Sequence, residues 1–240
     1  SHYTGRHEEL RRLDAFAASD EVRVVAVTGV GGAGKTSLLG RWLKQPTALR
    51  QRGVRGLFVW SFYENRSFAE LSKALLQFGE EQFGWSPPRD FDAGGSSIAN
   101  LLVRLCRDVP LCLLLDGLEV VQGDHNDERH GMFLDQELGE FLASLARQQV
   151  GLTLLTSRFS FADLNRFRGL GFAEMLLPRL SPTEGADLLR RLDVVGETED
   201  LIAASTALQG HALALRVLAA SARRQKGALI DFRVEQEDSV

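Results

Sequence analysis

Lysine is scarce in this chain. Only four of its 28 basic residues are lysine, at Lys35, Lys44, Lys73 and Lys226, and the rest are arginine. Cysteine is limited to Cys106 and Cys112, both set among apolar residues. Two cysteines are too few for a disulfide framework and lack metal-site spacing, so they read as buried free thiols in a reducing cytosol. No apolar run reaches the roughly 18–20 residues that span a membrane. No excess of one charge is present either: 28 basic residues against 32 acidic ones leave a net charge of −4. No strong basic field therefore draws the whole chain to nucleic acid or anionic lipid. Internal repeats, low-complexity tracts and a secretory signal pattern are also lacking. What remains is 240 residues, 44% hydrophobic and 25% charged, the make-up of an ordinary globular protein with one large domain and at most a small annex. The chain opens Ser1-His2 with no initiator methionine, which reads as a piece cut from a longer protein.

Strand-like runs alternate with amphipathic helical stretches. Residues 22–28 (VRVVAVT), 54–62 (VRGLFVWSF), 111–115 (LCLLL) and 152–156 (LTLLT) read as strands, with 172–177 a weaker fifth. Helices are expected over 5–19, 35–44, 68–83, 97–107 and 132–148, and 84–95 and 122–131 read as loops. Near-continuous apolar strands between helices imply βαβ units and a parallel sheet covered on both faces. After Pro178 the pattern becomes helical only, over 183–192, 199–208 and 211–223. The expected division is an α/β domain over 1–178 and a small helical domain over 179–240 that ends in a polar, acidic tail.

The strongest signal is Gly29-Val30-Gly31-Gly32-Ala33-Gly34-Lys35-Thr36, followed by Ser37. It fits G-x-x-x-x-G-K-[ST] and lies between a buried strand and a helix. Chance matches in a chain of this composition number on the order of 0.004. Glycines let the backbone wrap a phosphate, the amides form a nest, and the helix N-terminus adds its positive dipole end. Lys35 supplies a point charge for the β- and γ-phosphates, and Thr36 a hydroxyl for Mg²⁺. The scarcity of lysine elsewhere sharpens this assignment.

Such a loop needs a carboxylate at the end of a buried strand to hold the Mg²⁺ shell. Asp116, closing LCLLL, fits. Glu119, just beyond, is placed to polarise an attacking water as general base. Thr156-Ser157-Arg158 closes the fourth strand, and polar residues there face the ligand crevice of an open α/β sheet. Arg158 is the candidate contact to the γ-phosphate. Other constellations are weaker. His125 and His130, with their acidic neighbours, read as a solvated loop rather than a metal site, and Trp60, Phe62 and Tyr63 as packing residues.

Together these pieces resemble the STAND class of signal-transduction ATPases, which contains the NACHT and NB-ARC domains. Tyr3-Thr4-Gly5-Arg6-His7-Glu8 looks like the motif that lies against the adenine, with His7 in place of the usual glutamate. Asp116-Gly117-Leu118-Glu119 resembles the NACHT-type and bacterial second motif, and Thr156-Ser157-Arg158 the sensor motif. Gly210-His211-Ala212-Leu213-Ala214-Leu215 looks like the lid motif, with Ala212 where a proline is usual. The resemblance implies a three-layer, ASCE-type P-loop NTPase with sheet order 5-1-4-3-2 and a helical lid. It implies Thr4, Gly5, Arg6, His211 and Ala212 as nucleotide contacts beside the phosphate loop, although His211 also reads as a plain packed histidine. The implied cofactors are ATP or ADP with Mg²⁺, and the implied activity is slow, regulatory hydrolysis in the cytoplasm. The implied partners are effector and sensor domains of the same chain and further copies of the protein, with neither nucleic acid nor membrane in this part.

The alternatives are a P-loop kinase or transferase, and a module that binds nucleotide without turnover. A GTPase would need an N-K-x-D motif, and no lysine sits in one.

Overall fold

The computed structural model describes residues 6–45, 47–88 and 97–224. Five parallel strands form one sheet: β1 Val24–Thr28, β2 Gly56–Ser61, β3 Leu111–Asp116, β4 Leu152–Ser157 and β5 Phe172–Leu176. Their spatial order is β2-β3-β4-β1-β5, which from the other edge is the expected 5-1-4-3-2. Every residue of β1 and β4 is buried, as is β3 up to Asp116, whereas β2 and β5 at the edges are only partly covered. The apolar runs are continuous because alternate side chains enter two different cores. Val24, Ala26, Leu111, Leu113 and Leu115 face one core with α4 Phe68–Phe83, α5 Ile98–Asp108 and α6 Gln136–Gln148. Val25, Val27, Cys112, Leu114 and Leu154 face the other with α1 His7–Ala18, α2 Lys35–Trp42 and α3 Thr47–Gln51. Both cysteines are buried free thiols, and burial pushes each thiol up to about 12, which leaves them unreactive.

Helix starts follow local chemistry. Ser67, Ser97 and Asp135 accept from the backbone amides of Glu70, Asn100 and Leu138, each capping a helix. The Asp135 cap corrects the expected helix over 132–148, which begins only at Gln136. The segment before it turns back, with Phe133 bridging Gln122 in antiparallel fashion. The expected helix over 35–44 stops at Trp42, and the short α3 was not foreseen.

Beyond β5 come α7 Pro182–Arg191, α8 Thr198–Ala207 and α9 Ala212–Arg224. Ser181 and Glu184 form a capping box at α7, with Pro182 in its first turn. The three helices pack around a separate core that includes Leu180, Leu188, Leu189, Leu201 and Leu215. A Cβ on Gly185 would lie 1.9 Å from Ser205 Oγ, so this glycine sets how closely α7 and α8 approach. Among the described residues no helix is long and apolar enough to cross a membrane.

Candidate nucleotide-binding site

The parallel register brings the carboxyl ends of the strands to one rim. Thr28 pairs with Ser157, and Ser61 with Asp116. The phosphate loop leaves β1 at this rim and enters α2. Gly29, Gly32 and Gly34 take positive φ of 147°, 70° and 98°, the conformations that let the loop curl. Gly29 also passes so close to Leu177 that a Cβ would lie 2.5 Å from its carbonyl oxygen. Ala33 is buried in the core beneath, and Val30 is exposed. Lys35 is buried, and its Nζ donates to the carbonyls of Gly29 at 2.7 Å and Val30 at 3.2 Å. Burial lowers the Lys35 pKa, with Glu119 opposing that shift and Arg158 adding to it.

Across the rim, Asp116 Oδ1 accepts from Thr36 Oγ1 at 2.7 Å and Thr156 Oγ1 at 2.6 Å. Thr156 Oγ1 in turn accepts from the Gly117 amide at 2.9 Å. A hydroxyl and a carboxylate side by side offer only oxygen, the donor set of a hard dication, and Mg²⁺ commonly takes just one or two protein ligands beside phosphate oxygens. Among the described residues no group of three or more His, Cys, Asp or Glu side chains forms a metal site.

Glu119 lies in a 3-10 turn, Leu118–Val121, entered through Gly117 at φ 79°. Its side chain is 6% exposed, and Oε1 receives Arg158 Nε at 3.0 Å. The Tyr63 hydroxyl donates to the same oxygen, while Oε2 is buried without a partner. Burial, then the hydrogen bond to Glu119, holds the Tyr63 phenol well above its ordinary value. The Arg158 guanidinium also lies over the loop, since a Cβ on Gly31 would come within 3.2 Å of it.

The third wall comes from the helical segment. His211 accepts the Ala214 amide on Nδ1 at 3.2 Å, so it caps the start of α9. The cap makes Nδ1 an acceptor and places the proton of the neutral ring on Nε2. That edge lies on the phosphate loop: a Cβ on Gly32 would sit 2.2 Å from Cε1 and 2.6 Å from Nε2. The Leu213 amide donates to the Gly32 carbonyl at 3.3 Å. Between loop, rim and α9 lies a cavity of about 260 Å³. Gly31, Gly32, Gly34, Lys35, Thr36 and Ser37 form its floor, and Tyr63, Thr156 and Arg158 its far side. Ala212, Leu213 and Arg216 of α9 close it.

The structure thus gathers Lys35, Thr36, Asp116, Glu119, Arg158, His211 and Ala212 at one crevice. Thr4 and Gly5 lie outside the described residues. Arg6 is described, but its guanidinium is engaged by Glu9 and the Pro178 carbonyl. It ties the start of α1 to the segment between β5 and α7 and does not line the cavity. The 122–131 stretch is framed rather than merely solvated. Gln122 is buried between Ser157 Oγ and the carbonyls of Gly131 and Ser160, and His125 and His130 stack on each other and meet Phe159 edge-on. Sequence reasoning missed Tyr63 and Arg216 as cavity residues. Their signals were position: Tyr63 lies just past the carboxyl end of β2, and Arg216 one helical turn beyond Ala212.

The sheet order, the glycine loop and the rim acid together define a P-loop NTPase fold. Solved structures share it. A Signal Transduction ATPase with Numerous Domains carrying a tetratricopeptide repeat sensor, from Pyrococcus horikoshii, is 19% identical with a TM-score of 0.62 over 90% of this chain. The Aeropyrum pernix ORC1 protein in complex with DNA is also 19% identical, with a TM-score of 0.57 over 93%. Drosophila ORC bound to DNA is 16% identical, with a TM-score of 0.55 over 92%. The match takes in 30%, 62% and 57% of those three chains. At these identities the likeness is one of fold. No protein-family model matches the chain, and no curated protein does.

Proposed function

We propose that this chain is an adenine-nucleotide switch, the NACHT- or NB-ARC-like core of a longer STAND signalling ATPase. In this reading residues 1–178 form the nucleotide domain and 179–240 the lid. ADP holds the lid against the loop, and exchange for ATP frees the chain to join further copies and drive an effector domain. Lys35 and the loop amides neutralise the β- and γ-phosphates. Thr36 and Asp116 hold Mg²⁺, which supplies charge neutralisation at the phosphates. Glu119 accepts a proton from water in a slow hydrolysis, and Arg158 touches the γ-phosphate. His211, through Nε2–H, and Ala212 report phosphate content to the lid. The observation that carries this reading is the contact of His211 with Gly32. It sets the start of α9 against the glycine loop, across from Asp116, Glu119 and Arg158, which supports the reading of this helix as part of a lid. A metabolic kinase would need basic residues and an acceptor pocket at that position, and α9 brings one arginine, Arg216, to the cavity.

Mass spectrometry of nucleotide that co-purifies with the chain tests the proposal, with ADP the expected species. GTP, or no nucleotide together with no ADP binding in calorimetry, would refute it. Lys35→Ala is expected to weaken ADP binding by at least about a hundred-fold, roughly 2.7 kcal/mol, and unchanged affinity would remove the phosphate-loop assignment.

A further inference from the structure

We propose that Tyr63 is a positioning residue that latches Glu119 out of reach of water, so that the nucleotide site is held in a restrained state. The inference rests on the reading of Glu119 as the proton acceptor.

The latch is built from the backbone upward. The Phe62 amide donates to the Asp116 carbonyl at 2.9 Å, which extends the β2–β3 ladder past the end of β2 and registers the next residue against the Asp116-Gly117-Leu118-Glu119 turn. Phe62 is fully buried in the core, whereas Tyr63, directed into the crevice, is 52% exposed. The Tyr63 ring lies against Gly117, where a Cβ would come within 2.4 Å of it. A side chain at 117 would therefore displace the ring, and the glycine of this turn makes room for it. The hydroxyl then reaches Glu119 Oε1.

A carboxylate oxygen has about two lone-pair sites. On Oε1 both are taken, one by Tyr63 and one by Arg158. The other oxygen, Oε2, is buried and has no partner. In this position neither oxygen can receive a proton from a water in the crevice. A buried, unpartnered carboxylate oxygen is itself unfavourable, because its desolvation is not offset by a hydrogen bond. The two donors on Oε1 hold the group there against that cost. Arg158 already lies over Gly31, so a γ-phosphate on the loop draws it from Glu119. Tyr63 is then the remaining restraint. Its phenol is held far above its ordinary value by burial and by Glu119, so it stays protonated and keeps donating. Because the ring is half exposed, it can swing outward without disturbing the core. Release turns Glu119 to the water. As the water oxygen bonds the γ-phosphorus, its proton passes to the carboxylate, and the bond to the bridging oxygen breaks to leave ADP.

The test is the steady-state ATP turnover of Tyr63→Phe, alone and combined with Glu119→Gln, beside ATP affinity by calorimetry. Tyr63→Phe keeps the ring on Gly117 and removes only the hydroxyl. Turnover is expected to rise about five- to ten-fold, ATP affinity to stay within about two-fold, and Glu119→Gln to erase the gain. Turnover that falls or stays unchanged, absence of turnover in both proteins included, would overturn the latch. So would a gain that survives Glu119→Gln. Failure of the nucleotide reading is separate, because it shows as no ATP binding by the unaltered chain.

Discussion

Gly32→Ala probes the contact that joins α9 to the glycine loop. The residue sits at φ 70°, left-handed backbone that costs a residue bearing a Cβ about 1–2 kcal/mol. The new methyl would also lie 2.2 Å from His211 Cε1, far inside any van der Waals contact. The cheaper escape is for the imidazole to move, since it is the end of a side chain and the loop is backbone. Moving it breaks the cap on the Ala214 amide, worth about 1 kcal/mol. The expected total is therefore about 2–3 kcal/mol of lost unfolding free energy. His211→Ala alone should cost about 1 kcal/mol, the cap. In the double variant the obstructing ring is already gone and the cap is lost only once, so its cost should equal that of Gly32→Ala by itself. The cycle then shows about 1 kcal/mol of non-additivity. Urea unfolding of the four proteins, followed by tryptophan fluorescence, measures it. Additive costs would refute the reasoning, because they would mean the ring does not rest on the loop in solution.

Thr36→Ala removes the hydroxyl that sits 2.7 Å from Asp116. Calorimetry across a Mg²⁺ series should show about a ten-fold higher Mg²⁺ requirement for ATP binding with metal-free ADP affinity intact, and an unchanged requirement would take Thr36 out of the metal site. Arg52→Ala removes a guanidinium that donates to the carbonyls of Ala17, Ser19 and Val22, fastening the turn between α1 and β1 to α3. Chemical denaturation should register a loss of about 2–3 kcal/mol, and a change under about 0.5 kcal/mol would show that water replaces those bonds freely.

The sheet was legible in the sequence because both faces are covered, and uninterrupted apolar runs such as LCLLL have few other uses in a chain of this size. The phosphate loop was legible because its residue types are dictated by backbone sterics and point charge. Asp116 and Glu119 could be placed because strand β3 ends where its apolar run ends. Tyr63 could not. Its neighbours Trp60 and Phe62 do pack, one partly and one fully in the core, and composition cannot separate three aromatics within four positions by direction. What separates them is the amide of Phe62 bonding to Asp116, a long-range pairing fixed only when β2 lies beside β3. The start of α6 was misplaced for a similar reason. Apolar Met132 and Phe133 fit the helical period, and the bridge of Phe133 to Gln122 that pulls them out of the helix is a tertiary contact.

The loop's glycines therefore do more than admit phosphate. Gly31 lies under the Arg158 guanidinium, which a methyl would crowd at 3.2 Å, and Gly32 under the His211 ring, which a methyl would overlap at 2.2 Å. In the proposed nucleotide complex, a polyphosphate wrapped by the same glycines would occupy space that both side chains border. The charge it brings would act differently on them: Arg158 would be drawn in, away from Glu119, while His211 would stay only if its Nε2–H found an acceptor. In the proposed complex one stretch of backbone would thus be shared by the phosphates, by Arg158 and by the His211 cap of α9. Under the proposed switch, coupling between nucleotide content and the position of α9 would need no pathway through the core, because both would compete for the same few ångströms of loop surface.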